Sequence, residues 1–308
     1  MQYVQRKITY RLYPDDAECS ALDTVRALHC RTYNALLEEH RRRHASGEAS
    51  FGLNAMCLEL TQWRRRVASL NALNAQSMQV TAKRVALAFE AFFRRVKKGE
   101  TPGYPRFKAF ERFSGWGYKT YGDGWKLRRR INDKGMGFDA ITLAGIGTIR
   151  MRGKGRFAGT PKTCEIVHKA GKWYASVTFD VAPHQVMRPG GRETAAFDWG
   201  LKTLLTIAKA DGSIDEIDNP RWFNRKIAAI RALQRVISEE ESRAKQIAGL
   251  DPAVPLQKGQ RFVVTKKLKR LYAQLRGLHA KIARQRKDFY HKLTTFLVET
   301  FGALGTEE

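Results

Sequence analysis

The sequence predicts an α+β multidomain protein: a β-barrel interrupted by three inserted helices, then a smaller sheet carrying a long helical hairpin. Three observations predict it. Residues 3–13 alternate like a strand, yet the following stretch to 97 has helical periodicity. Residues 101–190 break into short β-type runs punctuated by Gly and Pro. Residues 191–217 read as a meander, and residues 221–300 as two long helices.

The first strand stops at Tyr13-Pro14, and Asp15 and Asp16 supply an N-cap and an acidic first turn. Leu22, Val25, Leu28, Leu36 and Leu37 lie on one face of a helix running to about 44. "HASGEAS" breaks it; further helices follow at roughly 53–68 and 74–97, with Phe89, Phe92 and Phe93 as core residues of the last. The β segments after 101 include "KWYASVTFDVA", where Trp173, Ala175, Val177, Phe179 and Val181 alternate with period two. Strands at this spacing predict a small barrel, which the strand at 3–13 can join. Most aromatics between Tyr104 and Trp125 are expected to fill it, although exposed ones could stack on bases.

The third unit begins with "TAAFDWGLKTLLTIAKADGSI" (194–214), two strands with an Asp-Gly hairpin turn after the second. In the last helix Val264, Leu268, Leu271, Leu275, Leu278 and Ile282 are spaced 4, 3, 4, 3, 4, a coiled-coil seam. The preceding helix offers Phe223, Ile227, Ile230, Leu233 and Ile237. The pair predicts an antiparallel hairpin. "FGALG" (301–305) follows as a short strand.

Charge narrows the partners. The 308 residues carry 56 Lys+Arg against 30 Asp+Glu, a net +26. Such a chain repels itself unless a polyanion neutralises it, and nucleic acid gains further from counterion release. An anionic membrane competes as a partner, but no apolar run reaches spanning length and the N-terminus has no signal-peptide core. A cytoplasmic, nucleoid-associated location is expected. Cys19, Cys30, Cys57 and Cys164 form no C-x-x-C pair, so no zinc site is visible and they read as small buried hydrophobes. The seven histidines have no metal spacing.

Asp198 ends an apolar strand and is followed by x-Gly. A meander with Asp in its first strand is how RNase H-like nucleases begin, the carboxylate holding a Mg²⁺ that activates water. The plain alternative is a turn aspartate. Glu307, directly after the predicted last strand, could return a second carboxylate to the first; equally, Glu307 and Glu308 could be two solvated acids.

The stretches "FDWGLKTLLTIA", "NPRWFNRKIAAIRALQRVIS" and "IARQRKDFYHKL" resemble the TnpB (OrfB-type) proteins of bacterial insertion sequences, relatives of miniature type V CRISPR effectors. "YRLYP", "NAQSMQ", "AFEAFFRR", "TPGYPRFK" and "KWYASVTFDV" agree in order, so the resemblance covers essentially the whole chain. It implies an RNA-guided DNA endonuclease. The implied fold is a β-barrel wedge domain (1–14 and 101–190), an inserted three-helix recognition domain (15–100) and a RuvC-like domain (191–308, hairpin 221–300). It implies Asp198 and Glu307 as catalytic Mg²⁺ ligands, and a guide RNA and double-stranded target DNA as partners.

The family continues past this Glu with a zinc ribbon and a last catalytic Asp that have no counterpart here. The chain therefore reads as cut within the RuvC domain, expected to hold Mg²⁺ weakly and to cleave poorly. Three readings stay open: an active nuclease whose sequence is cut short, a guide-dependent DNA binder or repressor without cleavage, and a structural RNA-binding protein.

Binding residues are expected in three groups. Gln76, Gln79 and Lys83 belong to a helical region that in the family helps read a short DNA motif. Arg94, Arg95, Lys97, Lys98, Arg106 and Lys108 flank the junction of helices and barrel, with Arg128, Arg129 and Arg130 beyond it. Arg284, Arg286 and Lys287 lie in the most family-like run.

Overall fold

A computed structural model of the chain describes residues 3–48, 51–131, 137–152, 159–185, 190–257 and 259–306. Two compact units result, Met1–Val186 and Met187–Glu308.

In the first unit, β1 (Val4–Tyr13) is followed by α1 (Asp16–Ala45), α2 (Leu53–Arg66) and α3 (Ala75–Lys97). Then come β2 (Gly115–Tyr118), β3 (Trp125–Ile131), β4 (Gly137–Leu143), β5 (Gly147–Arg152), β6 (Gly159–Lys169) and β7 (Lys172–Val181). The strands form one antiparallel sheet in the order β2-β6-β7-β1-β5-β4-β3. The terminal strands of that order, β2 and β3, are joined by the short turn 119–124, so the sheet rolls into a near-closed barrel. The first strand thus sits inside the sheet, and the helices are an excursion from it.

Local chemistry sets the helix starts. Asp15 accepts the Glu18 amide at 2.7 Å while Glu18 accepts the Asp15 amide at 3.0 Å, a reciprocal capping box. Asn74 caps α3 through the Ser77 amide at 3.0 Å. Helices and barrel share one apolar cluster, with Leu22, Leu36 and Leu37 of α1 and Met78, Ala82 and Val85 of α3 buried alongside Trp116, Ile141, Ile166 and Val177. Of the predicted aromatic core, Phe113, Trp116, Tyr118 and Trp125 are buried, whereas Tyr104, Phe107 and Tyr121 are exposed. Phe89 is buried, but Phe93 is 48% exposed, one turn beyond the last buried residue of α3. Cys30 and Cys164 are buried, Cys19 and Cys57 half-buried, and all four are free.

A buried polar pin ties α1 to α3. His29 is fully buried, its Nδ1 2.9 Å from Thr81 Oγ1 and its Nε2 3.2 Å from Ser77 Oγ. Ser77 Oγ already donates to the Asn74 carbonyl at 2.7 Å, so it accepts from His29. That assigns the proton to Nε2 and makes Thr81 the donor to Nδ1 at 2.9 Å, in preference to its longer 3.3 Å approach to the Ser77 carbonyl. Burial, with the positive charge of Arg84, lowers the His29 pKa from 6.5 to about 3. The unfolded chain therefore binds a proton that the folded chain refuses. Stability should fall by up to about 1.4 kcal/mol per pH unit as pH drops below about 6.5, levelling near pH 3. Urea midpoints between pH 7 and 4.5 should show this loss in the parent, and His29→Gln should lose correspondingly less.

In the second unit, β8 (Glu193–Trp199), β9 (Thr203–Lys209) and β10 (Ile214–Asp218) form the predicted meander. α4 (Ile227–Ile247) and α5 (Lys266–Thr300) follow, and β11 (Phe301–Thr306) returns to pair parallel with β8. The sheet order is β10-β9-β8-β11. Lys267 Nζ reaches Glu240 at 2.7 Å, and Tyr272 bonds Glu241, so the end of α4 meets the start of α5 and the hairpin is antiparallel. The seam holds at Leu268 and Ile282, both buried, and at half-buried Leu271, Leu275 and Leu278. Val264 drops out of it, because Thr265 caps the helix through the Leu268 amide at 3.1 Å and α5 begins only at Lys266. The far end of α5 lays Leu293 and Leu297 against Ala195, Leu205 and Ile207 of the sheet. Gly191 is required where the chain enters β8: a Cβ there would lie 1.8 Å from the Thr300 carbonyl oxygen.

Among the described residues no helix is long and apolar enough to cross a membrane.

Candidate functional site

Asp198 lies on an inner strand of the four-stranded sheet, flanked by β9 and β11. Residues directly opposite in the ladder share a face. Ala195, Phe197, Leu205 and Ile207 belong to the face that α5 covers. The alternate set, Thr194, Ala196, Asp198 and Ala208, is exposed. Asp198 pairs with Thr206, and Thr206 pairs on its other side with Glu216 of β10. One row thus carries Asp198, Thr206 and Glu216 on the same open face. Two inter-strand steps, about 9.5 Å, separate the backbones that carry the two carboxylates.

β11 runs parallel to β8, and its last described pair is Thr306 with Phe197, the residue before Asp198. Glu307, the next residue in the chain, lies outside the described residues. Among the described residues no three His, Cys, Asp or Glu side chains converge tightly enough to hold a metal. The described residues alone therefore do not complete a Mg²⁺ site.

Aromatic rings that sequence reasoning passed over surround this end of the sheet. Trp199 meets Phe197 edge-on at 5.9 Å and Tyr290 of α5 at 6.4 Å. The signal was present: an aromatic at a strand end, next to the carboxylate and before a glycine turn. Arg286 and Lys287, four and three residues before Tyr290, are exposed on the same helix, as is Arg284.

The first unit carries the remaining expected binding residues. Gln76, Gln79 and Lys83 fall on one stripe of α3 by their spacing of three and four. Gln76 is half-buried with Oε1 lacking a partner. Gln79 accepts from Lys119 Nζ at 3.3 Å and lines a cleft of about 430 Å³ between α2 and α3, together with Arg64, Arg65 and Asn71. Lys83 is exposed.

Arg94, Lys97 and Lys98 are exposed at the end of α3, where they also complement the helix dipole; Arg95 is paired with Glu100 at 2.7 Å. Arg106 and Arg128 are exposed, while the side chains of Arg129 and Arg130 lie outside the described residues. Lys108 is held for structure: Asn34 clamps its amide and its carbonyl, each at 2.9 Å. Its ammonium sits 4.5 Å over the Tyr33 ring, and burial, helped by Arg84, lowers its pKa. Arg41, not foreseen from sequence, lies over Phe107 at 4.5 Å and Tyr104 at 5.2 Å.

Comparison with known proteins gives this geometry its context. Residues 178–308 match the OrfB_IS605 family model, described as a probable transposase. A protein of Streptomyces pristinaespiralis named "Putative RNA-guided DNA endonuclease" is 25% identical over 303 residues, covering 97% of this chain and 65% of the relative. The similarly named InsQ of Escherichia coli K12 is 25% identical over 282 residues, covering 91% and 60%. The chain thus spans somewhat under two thirds of the length of both relatives. A solved structure titled as a Cas12f1-sgRNA-target DNA complex shares the fold, with a TM-score of 0.53 at 9% identity over 99% of this chain and 81% of that one. The chain is thus similar to OrfB-type transposase proteins, most directly over residues 178–308, and shares its fold with the protein of the Cas12f1 complex.

Proposed function

We propose that this chain binds a guide RNA and, through it, a matched DNA duplex, and that Asp198 is a metal-binding carboxylate of its DNA-cleaving site. The observation that carries the reading is the return of β11 beside β8 after the helical hairpin, in a register that runs toward Asp198. Mg²⁺ would be held by Asp198 and Glu307 and would supply an activated water for phosphodiester hydrolysis. The chain's own work is recognition. Exposed Arg94, Lys97, Lys98, Arg106, Arg128, Arg284, Arg286 and Lys287 would position phosphates, whereas guide pairing would read sequence. Gln76 and Gln79, beside Lys83, would read base edges in a short duplex motif, since an amide can bond adenine bidentately. The 15–100 helices would then act as the recognition element and the barrel as the wedge.

The test uses the chain with the RNA of its own locus and a matched duplex. Tight binding is expected in EDTA, with loss on mismatching the guide-paired segment. Any Mg²⁺-dependent cut product should vanish in Asp198→Ala while binding persists. Equal binding to matched and mismatched duplexes would remove the guided reading and leave a structural RNA-binding protein. A second reading, guided binding without cleavage, is favoured by the lack of a three-carboxylate cluster among the described residues. Matched binding with no product at any Mg²⁺ concentration selects it.

A further inference from the structure

We propose that Asn34 and Arg41 of α1 are positioning residues for nucleic-acid binding: they tie down the strap 103–108 so that Arg106 meets a backbone phosphate in a fixed pose. The inference rests on the reading of this chain as a nucleic-acid binder, and adds to it how one of the binding cations is held.

The strap lies between α3 and the barrel and has no regular structure, yet most of its residues are tied down. The Asn34 side chain pairs with both backbone groups of Lys108, donating to its carbonyl and accepting from its amide, each at 2.9 Å. A side-chain amide does there what a neighbouring strand would do. Cys30 Sγ donates to the same carbonyl at 3.3 Å. The Arg41 guanidinium lies over Phe107 at 4.5 Å and Tyr104 at 5.2 Å, and donates to the Pro105 carbonyl at 3.5 Å. Tyr104 in turn meets Phe89 and Phe92 of α3 edge-on, each at 5.4 Å. Pro102 and Pro105 stiffen the backbone further.

Arg106 is the exception. The residues on both sides of it are pinned, but its side chain is exposed, and among the described residues it has no ion pair, hydrogen bond or ring partner. Its Nη2 lies 3.8 Å from where a Cβ on Gly103 would stand, so the guanidinium rests over the strap itself. Fixing a loop costs conformational entropy, and a cation already held loses less of it on binding. A planar guanidinium takes two phosphate oxygens at once, so a fixed pose matters more for Arg than for a flexible Lys. Arg94, Lys97 and Lys98 are exposed at the end of α3 from which the strap departs, so the surrounding charge favours a polyanion.

The experiment is anisotropy titration of the full chain with two probes: the labelled RNA of its own locus alone, and a labelled matched duplex added to the RNA-saturated chain. Arg106→Ala should weaken binding about tenfold and lower the salt slope by about one. A change in the RNA arm assigns the phosphate to the guide; a change confined to the duplex arm assigns it to the DNA. Asn34→Ala removes no charge, yet should weaken the same arm about threefold. In the Arg106→Ala background it should cost nothing further, because the residue it positions is gone. Arg41→Lys keeps the charge but loses the flat stack on Phe107, and should behave as Asn34→Ala does.

A parent chain that binds neither probe overturns the nucleic-acid reading itself. Parent binding with Arg106→Ala unchanged in both arms overturns only the strap. An Asn34→Ala loss that is equally large without Arg106 marks a general effect on α1 and overturns the positioning role. Should Asn34→Ala fail to fold by circular dichroism, Arg41→Lys runs the same cycle with the Asn34 clamp intact. Poly-glutamate binding with the same dependence on Arg106 overturns the assignment to phosphate.

Discussion

Raising salt from 50 to 200 mM is expected to weaken the binding of duplex DNA to this chain by about 10³-fold or more. The argument starts from the net charge of +26 and from where it sits. Lys83, Arg94, Lys97, Lys98, Arg106, Arg128, Arg284, Arg286 and Lys287 are exposed, and among the described residues none of them is in an ion pair. If six to ten phosphates are neutralised, the loss over this range is on the order of 10³–10⁵. Arg95 and Lys108 should contribute less, because one is paired with Glu100 and the other is seated over Tyr33. Anisotropy titrations at four salt concentrations measure the slope. A flat plot would mean that the excess charge serves something other than phosphate binding. Replacing one contacting cation, Arg286→Ala for example, should reduce the slope by about one.

Trp116→Ala is expected to destabilise the first unit by about 3–5 kcal/mol, a large share of the ~5–15 kcal/mol that holds a typical domain together. Trp116 is 0% exposed and lies where barrel and helices meet. Its ring stacks on His29 at 5.6 Å and 12°, and meets Trp173 edge-on at 6.2 Å. Its strand neighbours are glycines for a steric reason. A Cβ on Gly115 would lie 1.9 Å from the Ile166 carbonyl oxygen, and one on Gly117 3.1 Å from Val80. The strand can approach β6 and α3 this closely only without side chains there. Urea midpoints of the variant measure the loss; an unchanged midpoint would show that the helices and barrel stay joined without it.

Much of this was legible beforehand because the deciding interactions are local. Asp15 and Glu18 fix the start of α1 three residues apart, and period-two alternation marks β7. The meander, the hairpin and the strand at 301–306 were all visible as patterns. What failed depends on neighbours distant in sequence. Phe93 fits the apolar stripe of α3, but burial along the helix stops at Phe89. Val264 fits the heptad, but the Thr265 cap starts the helix later. Asp198 was singled out from its strand-end position, and the sheet puts it on an inner strand. The surroundings of Trp199 were not legible, because Tyr290 lies far along the chain from it.

The parallel pairing of β11 with β8 has a temporal consequence. The two strands are separated by roughly 100 residues, so this contact closes a long loop and is expected to form late. On a ribosome adding about 5–20 residues per second, β8 would wait on the order of 5–20 s for its partner. Throughout that interval one edge of β8 presents unpaired amides and carbonyls, a template for any other extended chain. This segment is therefore most exposed to misassembly just before β11 emerges, when β9 and β10 are already made.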